Sequence, residues 1–219
     1  MEWLAVITLG ISVGLVSGVL GLGGGIFIVP LLPLVMPNLS LREVLATSLM
    51  TIFIVVSNNT IGFQKKKVIY WPLVFGIGGL SAVFAYIAGL KTAVIDEAIL
   101  RQILAGLFLA LGIFTFIRKN KVQNVDKINL SRKDWIICLA WGAFGGAISG
   151  LTGVGAGMIL TALLVNLTIP NKMIAPISNA VMVLTTSFGA LAFMDFNNIK
   201  GWQVGLVHFD LVLLLFTGA

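Results

Sequence analysis

Gly18-Val-Leu-Gly-Leu-Gly-Gly-Gly-Ile26 returns as Gly150-Leu-Thr-Gly-Val-Gly-Ala-Gly-Met158 at a constant offset of 132 residues. Outside these two stretches Gly10 and Gly14 match Gly142 and Gly146, Trp3 matches Trp135, and Ser17 matches Ser149. Fixed-offset self-similarity of this kind is the mark of an internal repeat. Each copy sits inside a long apolar segment, so the chain carries the same interruption at corresponding places in two halves. In a membrane protein that is the best pointer a single sequence gives to a transport site.

The membrane assignment follows from composition. Of 219 residues, 58% are hydrophobic and 10% charged, with a mean hydropathy of +1.07. A soluble globule of this length needs more polar surface than that. Seven apolar runs cover residues 3–36, 44–63, 71–90, 98–117, 135–169, 173–193 and 202–216. Each is long enough to cross a bilayer as a helix, and none alternates as a barrel strand does. The expected fold is all-α, a polytopic transmembrane helical bundle of about seven spans. It is built from two repeats, with the first helix of each repeat broken at its glycine cluster.

Residues 1–118 read as the first transmembrane repeat, 119–134 as a polar cytoplasmic linker, and 135–219 as a second repeat without a counterpart of the fourth run. At an offset of 130, Ser48, Ser57 and Phe63 match Ser178, Ser187 and Phe193, which extends the similarity through the second helix of each half. If every run crosses once, Lys65, Lys66, Lys67, Arg118, Lys119, Lys121, Lys127, Arg132, Lys133 and Lys200 lie on one side. Arg42, Lys91, Arg101 and Lys172 lie on the other. Ten against four places the first group, and with it the N-terminus, in the cytoplasm of a cell whose inner or plasma membrane holds the protein. Under the same assumption the repeats are parallel. A re-entrant hairpin in place of a single crossing would change that parity.

Several classes of function drop out. The net charge of +6 belongs to short loops beside spans and not to a nucleic-acid surface. Glu2 stands where a secretory signal would need a basic residue. Cys138 is the lone cysteine, and no cluster of ligands calls for a metal or a cofactor. Gly21 and Gly23 lack the third glycine and the strand-turn-helix setting of a dinucleotide loop. A serine hydrolase using Ser149 or Ser17 with His208 fails because no nucleophile and base can be paired.

A straight helix over residues 3–36 would measure roughly 51 Å, far more than a hydrocarbon core, so it must tilt or break. Unwound backbone at Gly21, Gly23, Gly24 and Gly25, and again at Gly153, Gly155 and Gly157, would present amide N–H groups at the start of a following helix, an arrangement suited to an anion. The more widely spaced Gly10, Gly14, Gly18 and Gly142, Gly146, Gly150 read as close helix packing. Ser48, Asn58, Ser178 and Asn179 are candidate neutral donors from the partner helices, with Ser48 and Ser178 at matching places. His208 and Asp210, ionisable groups within the last run, are candidates for proton coupling. The expected partners are a small anionic substrate and the lipid bilayer, with the oligomeric state left open. A channel using the same breaks, or a scaffold that transports nothing, are the rival classes.

The doubled glycine motif, together with Ala46-Thr47-Ser48, Ser178-Asn179-Ala180 and the Trp71 and Trp202 helix entries, resembles the sulfite exporter TauE/SafE family over nearly the whole chain. The resemblance implies a membrane permease for small sulfur-containing anions such as sulfite or organosulfonates, working outward, with about eight spans.

Overall fold

A computed structural model describes residues 2–20, 24–92, 94–117, 128, 130–167, 169–195 and 199–218. Gly21 and Gly23 therefore lie outside the described residues, as does most of the 119–134 linker, whose last three residues form the first turn of α6. The helices are α1 (Glu2–Leu20), α2 (Gly25–Val35), α3 (Leu41–Lys65), α4 (Trp71–Thr92), α5 (Glu97–Ile117), α6 (Arg132–Thr152), α7 (Gly157–Asn166), α8 (Asn171–Leu191) and α9 (Phe209–Gly218). Among the described residues, α3, α4, α6 and α8 are long and apolar enough to cross a membrane.

Local chemistry explains the starts of the long helices. Ser40 caps α3 and Ser131 caps α6, each hydroxyl accepting from the amide three residues on while Glu43 or Asp134 reaches back to the capping amide. These reciprocal bonds satisfy donors that a helix N-terminus otherwise leaves bare.

Close packing fixes the directions of the helices. Gly142, Gly146 and Gly150 of α6 lie against Ile77, Ser81 and Ala85 of α4, so these two run parallel. A Cβ on Gly146 would stand 2.7 Å from the Ser81 carbonyl carbon, and one on Gly142 would stand 2.9 Å from the Ile77 oxygen. The packing role expected for this glycine series is what the backbone requires, and Gly10 likewise abuts the Leu215 backbone of α9. Gly78 meets Leu184 and Gly89 meets Ala192, so α8 is parallel to α4 as well. Helix α3 opposes both, with Leu49 packed on Gly189.

Two expectations need correction. The glycine-broken runs do not each cross once. Helix α6 runs in from the Lys65 end of α3, the chain reverses over residues 153–156, and α7 returns to the end where α8 begins, with Gly157 beside Ser178. Helix α2 likewise runs back against α3: Gly25 meets Ile52, Val29 shares a cluster with Leu45, and Leu32 shares one with Val44. Both runs are hairpins, and an apolar run looks the same whether it crosses or turns back inside protein.

The run over 202–216 is also not one helix. Residues 199–208 form a small antiparallel sheet, β1 (Ile199–Lys200), β2 (Gln203–Val204) and β3 (Val207–His208), before α9 starts. Gly201 and Gly205, each with φ of 60°, take the first loop position of the two tight turns, the place where a hairpin turn favours glycine.

Candidate anion site

The second glycine cluster interrupts the helix as the sequence suggests. Gly153 ends α6 in the left-handed region at φ 67°, Gly155 has φ 78°, and α7 starts at Gly157. All of residues 153–157 are buried. The Gly153 amide donates to the Ser149 carbonyl at 2.9 Å, and the next such bond runs from the Leu160 amide to the Ala156 carbonyl at 2.9 Å. The amides of Val154, Gly155, Ala156, Gly157, Met158 and Ile159 meet no acceptor among the described residues. The last three are first-turn amides of α7, which any helix leaves open, and Val154, Gly155 and Ala156 extend the open run into buried backbone, where donors are nearly always paired.

In the first half, Gly24 has φ 80° and precedes α2, whose Phe27 and Ile28 amides both return to the Gly24 carbonyl at 3.0 and 3.1 Å. Gly24 and Gly25 are buried. Gly25 packs directly on Val154: a Cβ there would overlap the Val154 carbonyl oxygen and stand 2.8 Å from its carbon. The N-terminus of α2 is thereby set against the loop that leads into the N-terminus of α7, and both helix dipoles turn their positive ends toward this contact. The neighbouring Ile52 lies roughly 17 Å along α3 from Leu41, near the middle of that helix.

The preferred serine pair comes to the break from both halves. Ser48 of α3 donates to the Gly153 carbonyl at 2.9 Å. Ser178 of α8 donates to the Gly157 carbonyl at 3.3 Å and lies 3.2 Å from the Thr161 hydroxyl, which donates to it. Both hydroxyls thus face carbonyls of the break and hold its shape. Asn179 is buried but turns its amide back to the Ala175 carbonyl at 2.9 Å. Asn58 is exposed on α3 and is not brought to the break.

Ser149 takes the place beside them that sequence reasoning gave only to the repeat and to a discarded nucleophile. It is wholly buried one turn before Gly153, and its hydroxyl has no hydrogen-bond partner. The signal was its match to Ser17 within the repeat.

His208 and Asp210 lie at the Leu41 end of α3. His208 belongs to β3 and not to a helix, and its Nδ1 stands 3.9 Å from Asp210 Oδ1. Its Nε2 lies 3.3 Å from Glu43 Oε1, a residue the sequence did not single out. Among the described residues no group of three or more His, Cys, Asp or Glu is placed to hold a metal ion.

The model of the sulfite exporter TauE/SafE family matches residues 6–219. A probable membrane transporter protein of Methanocaldococcus jannaschii is 31% identical over 220 residues, covering 95% of this chain and 79% of its own length. A second probable membrane transporter protein, from Haemophilus influenzae, is 29% identical over 190 residues, covering 80% of this chain and 66% of its own length. No solved structure matches. The chain belongs to the sulfite exporter TauE/SafE family.

Proposed function

We propose that this member of a membrane transporter family carries a small sulfur-containing anion, of the sulfite or organosulfonate type, outward across the cytoplasmic membrane. The anion is bound where the tips of the two hairpins meet. The observation that carries this reading is the run of amides from Val154 to Ile159, all but Met158 in buried residues, with no acceptor among the described residues, set beside the N-terminus of α2. An oxyanion supplies the missing acceptor oxygens, and the two helix termini favour its negative charge without a buried cation. The free Ser149 hydroxyl adds a neutral donor. Such a grip is reversible, as passage requires.

The two halves are inverted repeats. Hairpin α1–α2 enters from the Leu41 end of α3 and hairpin α6–α7 from the Lys65 end, while α3 opposes its counterpart α8. The third span of each half packs on the hairpin of the other, α4 on α6 and α9 on α1, as a twofold axis in the membrane plane demands. The lysine-rich Lys65 end is cytoplasmic. The N-terminus then lies on the opposite face, and Lys172 and Lys200 exchange sides relative to a single-crossing count. Gly25 and Val154 close on one another, so release of the anion requires the two tips to part.

Uptake by proteoliposomes of sulfite, sulfate, sulfoacetate and lactate, with and without a proton gradient, tests the reading. Saturable flux of sulfite or sulfoacetate exceeding that of lactate supports it. Unitary currents would make the protein a channel, and no flux of any of the four would remove the transport assignment.

A further inference from the structure

The cluster at the Leu41 end of α3 lies apart from the hairpin tips and has its own chemistry. Glu43 divides its carboxylate between two tasks. Oε2 completes the helix cap, accepting from the Ser40 amide at 2.8 Å and the Ser40 hydroxyl at 2.7 Å. Oε1 accepts from Gln203 Nε2 at 3.2 Å and faces His208 Nε2 at 3.3 Å. On the far side of the ring, Nδ1 faces Asp210 Oδ1, a buried oxygen with no hydrogen-bond partner. The imidazole is mostly shielded, with 19% of its side chain exposed.

Each ring nitrogen therefore looks at a carboxylate oxygen. A neutral imidazole has one N–H and one bare nitrogen, so it serves one carboxylate and sets a lone pair against the other. An imidazolium turns an N–H to each, within reach of Glu43 at 3.3 Å and at ion-pair distance from Asp210 at 3.9 Å. Arg42 turns its guanidinium away to the Ile95 carbonyl at 2.8 Å and α1 carries no charged residue between Trp3 and Gly14, while Lys200 of β1 shares the cross-strand row of Gln203 and His208. Three side chains from α3, β3 and α9 together make a place for one proton.

The same turn of α3 reaches the hairpin tip. Thr47, one turn after Glu43, accepts from the His208 backbone N–H at 3.3 Å, and the next residue, Ser48, holds the Gly153 carbonyl. We propose that Glu43, His208 and Asp210 form the proton-binding site of this transporter, with Glu43 its anchor on α3, and that the proton couples the sheet and α9 to the α6–α7 tip. This rests on the transport reading above and adds to it the coupling ion and its third ligand. Loss of the proton releases the ring from one carboxylate and loosens β3 from the helical turn that fixes the break. Local charge changes of this kind bias elements with two packed positions.

The chain has a single histidine, so an isotope-labelled imidazole gives one resonance whose pH titration can be followed in the full-length protein in lipid nanodiscs. Glu43→Gln and Asp210→Asn keep the side-chain shape and remove one negative charge each. Each should lower the titration midpoint by about half a pH unit or more, since a nearby carboxylate favours the charged ring. In proteoliposomes, the ratio of sulfite flux with a proton gradient to flux without it should fall to one in Glu43→Gln and regain a value above one in Glu43→Asp. An unmoved midpoint in both carboxylate variants, or an unchanged flux ratio in Glu43→Gln, overturns the proposal. Should Glu43→Gln not fold, Asp210→Asn, which touches no cap, gives the same two readings. If wild-type protein moves no sulfite, the substrate reading fails and the titration alone decides the proton site.

Discussion

Ser48 and Gly153, 105 residues apart in sequence, are joined by a buried hydrogen bond of 2.9 Å from the hydroxyl of one half to the backbone carbonyl of the other. The bond ties the second hairpin's tip to the third of α3 nearest Leu41. It also fixes a carbonyl that no regular helix bond would satisfy.

Replacing Ser48 with alanine leaves that carbonyl without its partner. The expected loss of stability is about 0.5–2 kcal/mol, bounded by the modest worth of hydrogen bonds between membrane helices and by the cost of an unsatisfied buried acceptor. Thermal unfolding in detergent measures it, and sulfite flux should fall with it. Unchanged unfolding would mean that the bond contributes nothing to the tip.

Two glycines separate the roles of packing and of backbone conformation. Gly155 has φ 78°, yet a Cβ there meets Ile52 at an ordinary 3.5 Å. Gly155→Ala should therefore cost about 1–3 kcal/mol through conformation alone, and the chain should still insert and fold while flux drops at least about tenfold. Gly155→Val adds a branched side chain and should abolish flux. At Gly146 the space is filled by the Ser81 backbone, so Gly146→Ala should instead push α4 from α6 and lower the yield of folded protein. Gel filtration and flux on the same samples distinguish the two outcomes.

Sidedness of labelling tests the inverted arrangement. In a Cys138→Ala background, cysteines placed at Lys66 and Lys172 should react from the cytoplasmic face, and those at Asn38 and Lys200 from the opposite face. A single-crossing chain would exchange Lys172 and Lys200. Labelling in that pattern would refute the hairpins.

The helical membrane class and the broken backbone at Gly153–Gly157 were legible because glycine spacing and run length speak directly to them. The direction of each run was not. Residues 135–169 are apolar throughout, and α7 needs the same apolar side chains to lie inside the protein as it would to face lipid. The basic residues could not decide either, because Lys172 and Lys200 trade places between the two arrangements and the count stays ten against four.

Local turn chemistry was present in Gly201 and Gly205, but the hydropathy of residues 202–216 outweighed it in a reading by apolar runs. Glu43 stood three residues after Ser40, where a helix cap accounts for it fully. Its second oxygen finds partners 160 and 165 residues away, a distance that no local pattern spans.

Binding of the anion by the open amides of the second break is tested most directly at Gly155. Labelling glycine nitrogen and valine carbonyl carbon selects the three Val-Gly peptide bonds of this chain, those of Gly14, Gly155 and Gly205, and Gly155→Ala identifies its own signal. Titration with sulfite should move the Gly155 amide resonance saturably while the Gly14 and Gly205 signals stay in place. A Gly155 signal unmoved at sulfite concentrations that saturate flux would contradict the account.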